Sequence, residues 1–178
     1  PPLALDANAT QLLRDAEHEL SRLDLAGEMV PSIEWFLYAF VRKEAVLSSQ
    51  IEGTQASLVD LLRVEAGASP EGATEEDVEE VSNHLAALAY ARGQISRKGG
   101  LPLSIRLLNQ THRRLLKGVR GADKRPGEIR RSQNWIGGTR PGNAAFVPPP
   151  SREVGRLLGD LERYIHETDP LPPLVRAA

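Results

Sequence analysis

From Ser32 to Ile51 the chain brings back an apolar residue every few positions, at Ile33, Phe36, Leu37, Phe40, Val41, Val46 and Leu47, and then meets Gly53. That period marks one face of an α-helix, which has to be buried against something. Glycine supplies the left-handed turn that ends such a helix. Pro31 stands ahead of the run as a first-turn residue. Leu12, Leu13, Ala16, Leu20 and Leu23 show the same period over 8–25. Further helices are predicted over 57–66, from Thr74 to about Ile95, over 104–117 and over 151–166, with another start at Leu174. Aromatic residues make up only 4% of the chain, so the core is built from Leu, Ala, Val and Ile, which suits helices.

The helix ends carry their own signals. Thr74 precedes Glu75, Glu76 and Asp77, an N-cap with an acidic first turn and Asp77 at the third position. Thr54 or Ser57 caps the short helix, Ser104 starts the next, and Ser151 caps the one after. Val78, Val81, Leu85, Leu88 and Ala89 mark one inward face, and Ile105, Leu108, Leu115 and Leu116 another. Asn83 and His84 read as groups that cap or bridge helices. Arg113, Arg114 and Lys117 sit at a helix C-terminus, where the dipole favours them.

Between Gly118 and Pro150 the grammar changes to Gly, Pro, Arg and Asn. Ile129 to Ile136 and Ala144 to Val147 are strand-like pieces around Gly137-Gly138-Thr139-Arg140-Pro141-Gly142-Asn143, which predicts a hairpin with a long tip. The fold class is therefore mainly α, a helical bundle with a β-hairpin. The sequence stops one turn into the helix that starts at Leu174, which leads to the expectation that it is cut short.

Composition excludes several chemistries. Without cysteine there is no disulfide, thiolate metal ligand or cysteine nucleophile. No apolar run approaches the roughly 18 residues of a membrane span, and the Pro-Pro-Leu-Ala start lacks the pattern of a signal peptide, so the chain is read as cytoplasmic, with no membrane partner. The net charge is −2, yet residues 104–140 hold ten Lys/Arg against Asp123 and Glu128 alone, while residues 1–100 hold 17 of the 24 acidic side chains. The basic stretch can meet nucleotide phosphates, nucleic acid or the acidic half of its own chain. The near-neutral total and the lack of a base-stacking aromatic set argue against nucleic acid. No Asp/His cluster has metal-ligand spacing.

Ser48-Ser49-Gln50-Ile51-Glu52-Gly53 holds the most pointed chemistry. Glu52 is a carboxylate on the last helical turn, where the dipole opposes it by roughly 0.3–1 kcal/mol if exposed. That placement suggests a cationic partner. Ser48, four residues back, lies on the same face and can orient Glu52 or simply be a polar surface residue.

The ordered blocks EAVLSSQIEGTQASLVDLL, VSNHLAALAYA, PGEIRRSQNWIGG and FVPPP resemble the N-terminal part of Fic-domain proteins, in the class whose inhibitory helix precedes the Fic core. The resemblance implies a Fic-like helical bundle. It places an N-terminal helical region at 1–70, with the inhibitory helix at about 41–53. The front of the Fic-like core then covers 74–178, with a flap hairpin at about 128–148. It implies a protein adenylyltransferase, which moves AMP from ATP to a Ser, Thr or Tyr hydroxyl of a target protein and in some members removes it. ATP and Mg²⁺ are expected for the complete protein. A target protein docked on the flap edge, and a second copy of the chain, are the implied partners.

By the same resemblance, Ser48, Glu52 and Gly53 form the inhibitory and ATP-site element. Glu52 would pair with the family's motif arginine and take the place of the ATP γ-phosphate. Gln133, Trp135, Ile136, Gly137, Gly138 and Thr139 form the flap that covers the nucleotide and aligns a target strand by β-augmentation. Trp135 and Ile136 read equally as hairpin core, with the glycines as turns. Arg130 and Arg131 either meet phosphates or guard an exposed strand edge. The family's HPFxDGNGR loop is absent, and none of His18, His84, His112 or His166 lies in it. The chain by itself is therefore expected to hold no catalytic residue and to be inactive. The alternative is a non-catalytic helical module that binds a peptide or regulates a partner.

Overall fold

A computed structural model describes residues 4–168 and 171–177. The helices are α1 Ala7–Glu28, α2 Ile33–Ile51, α3 Leu58–Glu65, α4 Glu75–Ser96, α5 Ile105–Leu115, α6 Ser151–His166 and α7 Pro173–Ala177, with 3-10 turns at Ala122–Lys124 and Pro141–Asn143. The mainly helical expectation holds. No described helix is long and apolar enough to cross a membrane. Residues 1–3, the Asp169-Pro170 approach to α7 and the terminal Ala178 lie outside the described residues.

The chain divides into two compact units, one holding the sequence up to Val41 and again from Thr168, the other Arg42–Glu167. In the first, Asp6 caps α1 by accepting from the Ala9 N–H at 2.7 Å. Pro31 is not a first-turn residue. It precedes Ser32, whose hydroxyl accepts from the Trp35 N–H at 3.3 Å, so the helix begins at Ile33. Phe36 and Phe40 lie one turn apart with ring centroids 4.8 Å from each other.

In the second unit the core joins Ala45 and Val46 of α2, Ala56, Leu61 of α3, and Val78 and Val81 of α4, with Leu58, Ala73 and Leu85 packed against it. Leu61 has no exposed surface, and burying such a side chain is worth roughly 1.5–3 kcal/mol. Ser57 and Thr74 each close a capping box, with Asp60 and Asp77 respectively. Ser104 caps α5 through the Leu107 N–H. Ser151 is not a cap; it is the first residue of α6, behind Pro150, whose ring carries no hydrogen-bonding group. α4 and α5 pack together, with Arg114 stacked 3.4 Å over the Tyr90 ring and Asn83 donating to the Lys117 carbonyl at 2.7 Å, beyond the end of α5. The inward leucine of α5 is Leu107, 3% exposed. Leu108 is 54% exposed and borders a cavity with Leu158, Leu161 and Ile165 of α6.

The β-hairpin does not form among the described residues. Ile136 and Phe146 make a single antiparallel bridge, with Ile136 N–H to the Phe146 carbonyl at 2.9 Å and Ala145 N–H to the Ile136 carbonyl at 2.9 Å. Two physical causes limit it. Pro148, Pro149 and Pro150 have no N–H to extend a ladder, while Gly137 and Gly138 turn into the left-handed region with φ of 70° and 68°. Side chains bind the carbonyls that a ladder would have used. Gln133 Nε2 donates to the Pro148 carbonyl at 2.8 Å, and the Arg130 guanidinium donates to the Ser132 and Pro149 carbonyls.

Candidate functional site

The end of α2 is closed tightly. The N–H groups of Glu52 and Thr54 both donate to the Ser49 carbonyl at 3.1 Å, and that of Gly53 donates to Gln50 at 3.0 Å. Gly53 has φ of 100°, a conformation that glycine adopts without steric cost. The chain then drops Thr54 into the interior, 2% exposed, and Gln50 Nε2 ties the helix end to the Ala56 carbonyl at 2.9 Å. The consequence is a fixed turn that presents Glu52 outward.

Thr54 Oγ1 donates to Glu80 Oε2 of α4 at 2.6 Å. Arg120 Nη2 reaches the same carboxylate oxygen at 3.3 Å and the Glu52 carbonyl at 3.2 Å. One guanidinium thus bridges α4 and the C-terminal end of α2, where a cation is favoured. The Asp77 pKa is lowered chiefly by the Thr74 hydroxyl, with the Gln55 and Thr74 N–H groups and, least, the Arg120 charge adding to it and burial opposing it.

A cavity of about 560 Å³ opens beside this turn. Ser48, Ser49, Glu52 and Thr54 line one side, Glu80 and His84 of α4 another, and Leu115, Leu116, Val119 and Arg120 the remainder. Ser48 and Glu52 therefore share one pocket. Ser48 Oγ, however, donates to Glu44 at 2.6 Å. The Glu52 carboxylate makes no ion pair among the described residues; Arg120 meets its main chain instead. Sequence reading missed Glu80 and Arg120. Nothing local marks them, because the contacts that join them to this turn span 26 to 68 residues of sequence.

The residues expected to form a flap lie outside this cavity. Trp135 is 41% exposed and Ile136 65%. The loop tip is closed by Asn143, whose carboxamide oxygen accepts from the Thr139 and Arg140 N–H groups at 3.1 and 3.0 Å and whose nitrogen donates to Thr139 Oγ1 at 3.1 Å. Arg131 pairs with Glu128 at 3.2 Å. Among the described residues no group of three or more His, Asp or Glu side chains could hold a metal ion.

Residues 10–93 match the family described as Fic/DOC family N-terminal. Residues 10–93 carry a Fic N-terminal segment. The chain's fold is similar to that of a Fic family protein from Desulfovibrio desulfuricans G20, with a TM-score of 0.70 at 19% identity over 99% of this chain. Fic-1 from C. elegans gives a TM-score of 0.60 at 23% identity over 96% of this chain. The chain spans 50% of the length of each of those structures. Comparison with curated protein sequences finds no match.

Proposed function

We propose that this Fic N-terminal portion is the inhibitory and target-docking front of a protein adenylyltransferase, which moves AMP from ATP to a Ser, Thr or Tyr hydroxyl of another protein. The observation that carries the reading is the Glu52 carboxylate. It stands exposed at a cavity, on a turn braced by Ser49, Gln50 and Arg120, with no ion pair of its own among the described residues. A carboxylate so placed suits a guanidinium, which it binds through parallel hydrogen bonds. If that guanidinium is the one that holds the ATP γ-phosphate, Glu52 displaces the phosphate and the α-phosphate turns away from the incoming hydroxyl. An error of about 1 Å in such geometry costs orders of magnitude in rate.

The bridge at Ile136 supports the docking half of the reading. Ile136 uses its own N–H and carbonyl on Phe146 and Ala145, so strand alternation turns those of Trp135 to the free side. An extended target segment aligned there needs little sequence of its own. Among the described residues no group of three or more acidic or histidine side chains is placed to hold Mg²⁺.

The test is Glu52→Gly in the protein that carries this chain, with AMP incorporation followed by intact mass in Mg²⁺ and ATP. Incorporation rises if Glu52 is the inhibitor. A folded variant no more active than wild type overturns the reading and leaves a helical module that binds a peptide at the Trp135 edge without catalysis.

A further inference from the structure

We infer that Arg120 is a positioning residue for Glu52, locking the inhibitory turn against α4 through Glu80. This rests on the adenylyltransferase reading above. Ser49 and Gln50 close the turn from within, but Gly53, with φ of 100°, leaves it a flexible joint. Arg120 adds a bifurcated contact from outside. Arg120 Nη2 donates to the Glu52 carbonyl at 3.2 Å and to Glu80 Oε2 at 3.3 Å. Glu80 is itself held by the buried Thr54 hydroxyl at 2.6 Å, one residue beyond Gly53. The ring runs from Glu52 through Arg120 and Glu80 to Thr54, and so clasps Gly53 on both sides.

The contact is asymmetric in exposure. The Glu80 side chain is 16% exposed and that of Arg120 62%, so the carboxylate is the fixed anchor and the guanidinium the part that can leave. Arg120 engages the main chain of Glu52 and leaves its carboxylate free, which is what a positioning group must do if that carboxylate is to meet another guanidinium. When Arg120 releases, the Glu52 carbonyl loses its donor and the glycine hinge is free to move the carboxylate.

The experiment uses the protein that carries this chain, with Arg120→Ala, Arg120→Lys, Glu80→Gln, Glu52→Gly and the double variant Arg120→Ala/Glu52→Gly. AMP incorporation in Mg²⁺ and ATP is read beside amide hydrogen exchange of the peptide covering 48–56. A half-exposed ion pair gives a modest effect, so Arg120→Ala and Glu80→Gln raise incorporation about two- to fivefold. Arg120→Lys falls between Arg120→Ala and wild type, the double variant matches Glu52→Gly, and exchange at Gly53 and Thr54 quickens in Arg120→Ala. A merely structural arginine would lower activity when removed. If Glu52→Gly activates while Arg120→Ala changes neither incorporation nor exchange, the positioning role is overturned and the inhibitory reading stands. If Glu52→Gly is silent, the inhibitory reading fails and the role built on it falls too.

Discussion

Thr54, a residue 2% exposed, and Glu80 of the facing helix are joined by a hydrogen bond of 2.6 Å from hydroxyl to carboxylate. It fixes the step from α2 to α4 at the one place where the cavity beside Glu52 needs a rigid wall. Thr54→Val keeps the shape and removes the donor. The expected loss is about 1.5–3 kcal/mol of folding stability, the range for a hydrogen bond to a charged group, measured by urea unfolding.

Asp60 makes stability depend on pH. Its carboxylate accepts from the N–H groups of Gly72 at 2.9 Å, Glu71 at 2.8 Å and Ser57 at 3.1 Å, and from the Ser57 hydroxyl at 2.6 Å. The Gly72 N–H and then the Ser57 hydroxyl chiefly hold its pKa well below the ordinary carboxylate range, against a smaller effect of burial. The folded chain thus releases this proton more readily than the unfolded one, whose aspartate titrates at about 3.9. The contribution is present in full above that value and is lost as pH falls from it toward the folded pKa. Asp60→Asn is less stable than wild type at neutral pH, and the gap narrows as unfolding is repeated below about pH 4.

Gly127 tests a close approach. Its φ is 82°, and a Cβ there would lie 2.6 Å from the Asn109 carbonyl oxygen of α5, while its N–H donates to His112 Nδ1 at 2.9 Å. Gly127→Ala destabilises by at least about 1–2 kcal/mol from the left-handed backbone alone, read as a lowered thermal midpoint.

Ile136 tests the docking edge. Its side chain is 65% exposed, while its own N–H and carbonyl are engaged by Phe146 and Ala145. In the protein that carries this chain, Ile136→Gly weakens target modification more than ATP binding, measured by mass shift and by nucleotide titration. Equal loss of both would make the segment structural.

Particular residues show what a sequence reader can see. Thr74 and Ser57 are caps because a hydroxyl meets an amide only three positions on. Glu52 stands out because a carboxylate at a helix C-terminus opposes the dipole. Arg120 offered no comparable signal: its partners Glu80 and Glu52 lie 40 and 68 residues away, and an arginine in a glycine-rich turn is ordinary. The segment 129–147 misled for the opposite reason. Two pieces with apolar ends around a Gly/Pro/Asn tip read as strands, but whether a ladder extends depends on the opposing N–H groups, and here prolines and side-chain donors intervene.

The sequence alone determined that the chain is mainly helical, where its main helices lie to within a few residues, and the caps at Ser57, Thr74 and Ser104, because each rests on contacts within a turn of the backbone. Tertiary structure decided which leucine of α5 turns inward, that Ser48 bonds Glu44, that one bridge stands where a hairpin was expected, and that Arg120 and Glu80 close the turn of Glu52. Those outcomes depend on which surfaces meet, and a helical period leaves that open.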